Sequence, residues 1–447
     1  MKSNIHIKLF IFLPIAFLLL FSCDNNDDAS QKDPYTNNVD FPEESIFYGD
    51  VVTSSKETMD YLNTFKVTRV EGSIRINDTT NIIALSTIKE VTGSIQINNE
   101  QYEPYNGSVD GLLNLKCLSE LITIGGDLEI RYLEDLETLD GLSNLNSIGG
   151  DLTIYYNKKL KNINGLSSLK NVDGDIYIGN HHFDYTTGSL ESLDGLSSLT
   201  FVGGDLSIHV SDLLINLEGL SNVTSVGGGL FIKNNAKLNS LKGLTNMTSI
   251  GGDIILNGNE NLKTLEYFPK ITRAEQDIQI TWNTSLESLE GLLNINSIGG
   301  DLSIRENIKL ESLEGLSNIT SIDEHLLVQQ NDNLKTLNGL SRLVSIGGIF
   351  SISGTNFLSS LDGIPNITSA GSLDIYGSTN LQNLNGLENL KSLGNSRLRI
   401  LNCDKLNNFC GLQNLVLSST NIGYYDVSNN AYNPSLDDLN FLDTCKQ

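Results

Sequence analysis

Residues that usually carry chemistry are scarce in this chain. Its 447 residues include five histidines, five cysteines, three methionines, seven prolines and a single tryptophan. No Cys-x-x-Cys pair occurs, which argues against structural zinc. GxSxG, HExxH and P-loop signatures are missing too, so the sequence announces neither catalysis nor a cofactor. Positive charge is in short supply: 29 Lys and Arg against 54 Asp and Glu leave a net charge of −25. Such a surface repels phosphate backbones, and nucleic acid is not an expected partner. One long apolar run exists, from Leu9 to Phe21, broken by Pro14. It falls short of the roughly 20 residues that a membrane-spanning helix needs.

Glycine, leucine and repetition are abundant instead. A block of about 24 residues recurs almost end to end, as in GGDLTIYYNKKLKNINGLSSLKNV (Gly149 to Val172) and GGDLSIRENIKLESLEGLSNITSI (Gly299 to Ile322). Roughly fourteen copies run from Glu71 to Cys410. With the first Gly as position 1, apolar residues fall at positions 4 and 6, here Leu302 and Ile304. That period of two marks a strand with one buried face. Leu310, Leu313, Leu316, Ile319 and Ile322 then step by three. This fits neither an amphipathic helix nor a flat strand. It predicts an all-β coil of short extended segments and corners around a narrow core, one turn per copy, stacked at the ~4.8 Å strand spacing.

Each recurring polar or glycine position has a structural expectation. Gly-Gly at positions 1 and 2 is expected to supply positive φ at a corner. Glycine at position 17 (Gly165, Gly219, Gly315 and others) marks a second corner, and Tyr267 interrupts that series in a copy that also carries Glu275-Gln276 in place of Gly-Gly. Asparagine at position 9 (Asn157, Asn235, Asn259, Asn283, Asn307, Asn331), with Cys403 in the same slot, is expected to bond backbone groups inside the coil. Asp at position 3 (Asp127, Asp151, Asp175, Asp205, Asp253, Asp277, Asp301) could cap backbone N–H groups or hold calcium, and capping is the preferred reading.

The ends read differently. Ser54 to Phe65 predicts a short helix turning Met59, Leu62 and Phe65 toward the first coil. Ser435-Leu436-Asp437-Asp438 opens another with capping-box spacing, burying Leu436, Leu439 and Leu442. Lys2 and Lys8 precede the apolar run, which ends at Leu20-Phe21-Ser22-Cys23. That stretch resembles a bacterial lipoprotein signal, with Phe21 where a small residue is usual. The resemblance implies cleavage before Cys23 and its lipidation. Asp24 to Asp28 resembles the surface-export signal of Bacteroidetes lipoproteins. The expected organisation is a signal peptide over 1–22, an acidic tether over 23–45, an N-terminal cap over 46–70, the solenoid over 71–412 and a C-terminal cap over 413–447. The expected location is the cell envelope: the outer membrane, facing outward.

The turn pattern GDLxIxxNxxLxSLxGLSNLTSIGG resembles the receptor L-domain superfamily, which includes ligand-binding lobes of growth-factor receptors. Phe409-Cys410-Gly411-Leu412 with Ala431 to Leu436 resembles the closing segment of secreted Bacteroidetes members. The resemblance implies a right-handed, leucine-rich parallel β-solenoid that binds partners. Its departure from the family is the unbroken run of turns, far longer than a receptor lobe.

Stacking bounds the thiols. Cys117 sits in an early turn, tens of ångströms from Cys403, Cys410 and Cys445, beyond the ~7 Å Cα limit of a disulfide. A Cys410–Cys445 bridge pinning the cap is predicted, with Cys403 left buried in the asparagine slot. Positions 5, 7 and 8 should face outward on the main strand. They carry Arg131, Tyr132, Tyr155, Tyr156, Tyr177, His209, Phe231 and Trp282, a candidate ligand surface in which the tyrosines form one patch. Two insertions interrupt the repeat: Gln101 to Gly111, with Tyr102, Glu103, Pro104 and Tyr105, and a loop bearing His181-His182. The expected function is non-enzymatic: a lipid-anchored recognition or adhesion scaffold binding an extracellular protein or glycan, with no metal and no catalytic residues. The alternatives are a polysaccharide-capturing surface lipoprotein and a β-helix polysaccharide lyase.

Overall fold

Positions 4 and 6 of each copy lie in a short strand with both side chains inside. In Leu302–Arg305, Leu302 and Ile304 are completely buried. The computed structural model describes residues 45–98, 109, 111–180, 189–418 and 422–440. All of them belong to one unit, Pro42–Gln447. Strands pair in parallel with their equivalents one copy before and after: Leu302 lies between Ile278 and Leu326, and Leu152 between Leu128 and Ile176, the register shifting between Ala370 and Ser372 where Ser369–Tyr376 meets Ser392–Leu401. The pairing runs unbroken from Val51–Val52 to Tyr424–Ser428 and forms a main ribbon. A second, narrower ribbon is built from two-residue strands at positions 23 and 24, such as Ser147–Ile148 and Asn171–Val172. Between the two ribbons the chain turns through short 3₁₀ segments such as Glu314–Leu316. The leucines that step by three fill the space enclosed: Leu310, Leu313, Leu316 and Ile319 are fully buried. The chain is an all-β parallel solenoid.

The ladders inside it explain the recurring polar residues. Asn259 donates from Nδ2 to the Ile232 carbonyl at 2.9 Å, and its backbone N–H donates to Asn283 Oδ1 at 3.1 Å. Asn235, Asn283, Asn307 and Asn331 make the same Nδ2 bond to the turn before. Cys403 is buried in this slot, and its N–H donates to Asn430 Oδ1 at 2.9 Å. The Asp column caps backbone as expected: Asp151 N–H donates to Asp127 Oδ1, Asp175 N–H to Asp151 Oδ1, and Asp301 N–H to Asp277 Oδ1. His325 continues the column, donating its N–H to Asp301 and accepting from Ile349 N–H at Nδ1.

The glycine expectation needs correction. The Gly-Gly pairs do not adopt positive φ; position 8 does, through Tyr132, Tyr156, Val210, Asn234, Trp282, Glu306 and Gln330. The pairs are glycine because neighbouring turns come too close for a side chain. A Cβ on Gly149 would lie 2.4 Å from the Gly125 carbonyl oxygen, and one on Gly150 would lie 2.1 Å from Asp127 Oδ1. Position 17 combines both demands: Gly141, Gly243, Gly339 and Gly386 take positive φ at the expected second corner, and a Cβ on Gly315 would meet the Leu289 oxygen at 1.8 Å. Tyr267 has a Cβ and sits at φ 70°. That copy is where the narrow ribbon breaks: among the described residues Ser249–Ile250 does not pair with Arg273–Ala274, and pairing resumes at Ser297–Ile298.

Both caps are helical, with differences in detail. Helix α1 is Lys56–Phe65, capped by Ser55, whose hydroxyl accepts from Thr58 N–H. Met59 and Leu62 are buried, but Phe65 is exposed and packs on Tyr61 with ring centroids 4.5 Å apart. A helix not anticipated, α2, spans Gln413–Ser418 and buries Leu415. Helix α3 is Leu436–Asn440. Its capping box forms as expected, Ser435 N–H to Asp438 Oδ2 and Asp438 N–H to Ser435 Oγ. Leu439 is buried, Leu436 is only partly covered, and Leu442 lies outside the described residues. The strands at Ile46–Tyr48 and Tyr424–Ser428 already pair with the solenoid, so regular coiling extends into both expected caps.

Candidate functional site

The outward face of the main ribbon presents three rows of side chains, at positions 5, 7 and 8. Register sets the rows: Arg131, Tyr155, Gly179, His209 and Lys233 lie opposite one another in succession along position 7. Glycine at 179 leaves a gap between Tyr155 and His209. The Tyr177 ring, from position 5, spans it, 5.7 Å from the Tyr155 ring and stacked on His209 at 5.1 Å with planes 27° apart. Tyr132 meets Tyr155 edge-on at 5.5 Å and Tyr156 at 5.6 Å. The predicted tyrosine patch is therefore one connected cluster, ending at His209.

Burial disfavours charge on three of its rings. Burial, reinforced by the neighbouring phenols of Tyr132 and Tyr177, pushes the Tyr155 hydroxyl up to about 12. Burial raises Tyr177 as well. Burial, with Lys233 nearby, brings His209 down to about 4. Arg131 sits at one edge in an ion pair with Glu129, 3.5 Å apart. A neutral, planar, partly apolar surface bordered by a guanidinium suits the faces of sugar rings or the side chains of a protein partner.

Three residues of the predicted surface stand elsewhere. Tyr156 is 7% exposed, so it supports the cluster from beneath rather than facing solvent. The left-handed backbone at position 8 tucks its ring under Tyr132 and Tyr155, with the Lys158 ammonium 5.4 Å from the ring centre. Phe231 is separated from Tyr177 by Ser207 in its row and is covered by Lys233, 4.6 Å from its ring. Trp282 lies three turns beyond His209, about 14 Å along the stack, and is 57% exposed.

Trp282 borders a groove of about 340 Å³ that the sequence reading missed. Arg305, Gln279, Asn257 and Gln329 line it. The signal available was the row itself: Asn257, Gln279, Thr281, Ser303 and Gln329 put amides and hydroxyls at positions 5 and 7, where Tyr155 and Tyr177 stand in earlier copies. Among the described residues no His, Cys, Asp and Glu group is arranged to hold a metal, and no helix is long and apolar enough to cross a membrane. The described free thiols, Cys117 and Cys403, are buried, and burial pushes Cys117 up to about 12. Cys410 is disulfide-bonded. Cys445, its predicted partner, lies outside the described residues, as do Cys23, Tyr102 to Tyr105 and the His181-His182 loop.

No protein-family model matches the sequence, and no curated protein matches it.

Proposed function

We propose that this chain is a lipid-anchored, cell-surface recognition or adhesion protein of receptor L-domain type. It acts as a non-enzymatic scaffold whose outer face binds an extracellular protein or glycan. The observation that carries this reading is the Tyr132–Tyr155–Tyr177–His209 cluster. Its rings stand on consecutive rungs of a backbone fixed by hydrogen bonds on both sides. Rigid aromatics bring contact area at low entropic cost, because little side-chain freedom remains to be lost on binding. The lipidated Cys23 and the acidic segment after it would hold the scaffold at the membrane while leaving this face free.

The test is an array of glycans and extracellular proteins probed with the full chain. Ligands bound by wild type and lost in Tyr155→Ala/Tyr177→Ala, with unchanged thermal unfolding, support the proposal. Ligand binding that the double variant retains in full removes the cluster from the function.

A further inference from the structure

We propose that the groove beside Trp282 is a separate binding site for a neutral sugar. It deepens the glycan branch of the function above and rests on the same scaffold, but it shares no residue with the tyrosine cluster. Three observations carry it.

The first is Trp282 itself. It occupies position 8, in left-handed backbone at φ 57°, and its N–H donates to the Arg305 carbonyl at 3.0 Å, which fixes the base of the side chain. Its counterpart on the preceding turn is Gly258, which has no side chain to cover the indole. An exposed indole with one side left open is a platform for the C–H face of a pyranose.

The second is Arg305. Its Nε is buried and has no hydrogen-bond partner. It lies in register between Thr281 and Gln329, neither of which can neutralise it. A buried donor without a partner is costly, and a ligand oxygen would satisfy it.

The third is the composition of the walls. Asn257, Gln279, Thr281 and Gln329 are amides and a hydroxyl, able both to donate and to accept. Ser303, at the centre, is small and buried, so the floor is low between longer side chains. Vicinal sugar hydroxyls need such paired donors and acceptors. Charge then decides the class of sugar. Asp301 and Glu306 also line the groove and outnumber the single guanidinium. A carboxylated or sulfated sugar would meet net repulsion, whereas the hydroxyls of a neutral one can accept from Arg305 and donate to Glu306.

Trp282 is the only tryptophan in the chain, so its fluorescence reports this groove alone. The experiment titrates the full chain with neutral hexasaccharides of glucose, mannose and galactose, and with hexagalacturonate, following tryptophan emission and calorimetric heat. The expected result is a saturable emission change with at least one neutral hexasaccharide. Arg305→Ala should weaken it roughly 10- to 100-fold, the loss of a hydrogen bond to a charged group. Trp282→Phe should lower the calorimetric affinity without lowering the unfolding temperature. Tyr155→Ala/Tyr177→Ala should leave the titration unchanged, so the failure of one site is not mistaken for failure of the other. The proposal is overturned if no neutral hexasaccharide binds, if only hexagalacturonate binds, or if Arg305→Ala binds as tightly as wild type.

Discussion

The side-chain amide of Asn283 donates to the carbonyl of Leu256, on the preceding main strand, at 2.9 Å. Its Oδ1 accepts the backbone N–H of Asn259 at 3.1 Å, so one side chain satisfies two buried backbone groups of an adjacent turn.

Asn283→Ala leaves the Asn259 N–H without its acceptor in a place water does not reach, and takes one of two bonds from the Leu256 carbonyl, which stays in the strand ladder. A buried unsatisfied group costs about 1–3 kcal/mol, and the expected loss is of that size. Asn246 provides the control. It donates to the Ser221 carbonyl at 2.8 Å in the same turn-to-turn sense, but at an exposed site where water replaces it. Asn246→Ala is expected to cost less than about 1 kcal/mol. Urea unfolding of both variants measures the difference, and hydrogen exchange at the Asn259 amide should accelerate only in Asn283→Ala. Equal costs would show that the buried ladder contributes no more than a surface bond.

Glycine at position 17 makes a sharper prediction. A methyl group on Gly315 would press to 1.8 Å from a backbone oxygen, which no rotamer change can relieve. Gly315→Ala is expected to destabilise by about 1–3 kcal/mol, the usual range for overpacking, or more. Gly394→Ala, whose added carbon would find its nearest neighbour at 3.8 Å, should be close to neutral. Tyr267→Gly runs the other way: it removes a non-glycine residue from φ 70° and should stabilise by up to about 1 kcal/mol. Thermal unfolding of the three variants checks the order. A stable Gly315→Ala would mean that adjacent turns separate easily.

Much of this architecture could be read before any coordinates. Leu302 and Ile304 announce the strand by their period, and the steps of three from Leu310 to Ile322 announce a coil that is not helical. Asn259 and Cys403 share a slot that only a repeat alignment exposes. Sequence misassigned the reason for the Gly-Gly pairs, because a Cβ clash with the turn before is a contact across the stack and leaves no local mark. It also treated Tyr155 and Trp282 as parts of one surface. Both belong to outward rows, but distance along the rows depends on counting turns. The Arg305 groove was passed over because serine, threonine and glutamine on an outward face look like ordinary solvated surface. The unpaired Nε, which Arg131 and Arg397 share, marks it only together with the bare Gly258 beside the indole.

His209 gives the cluster a pH dependence whose sign can be worked out. In the folded chain its imidazole is brought from the ordinary 6.5 down to about 4, first by burial and then by the Lys233 charge. The neutral form is therefore favoured by folding. The corresponding stabilisation is complete above about pH 6.5, where folded and unfolded chains both carry neutral imidazole. As the pH falls from 6.5 toward 4 the unfolded chain takes up a proton that the folded chain refuses, and the contribution is progressively lost. The group is partly solvated, so the expected effect is modest. His209→Asn removes both the stacking on Tyr177 and the titration. At pH 7 the variant should be the less stable of the two, and the gap should shrink as the pH is lowered to 4.5. Urea midpoints of wild type and variant at half-unit intervals measure that gap, and subtracting them cancels the shared titration of the many carboxylates. A gap that stays constant across the interval would mean that His209 ionises as freely in the folded chain as in the unfolded one.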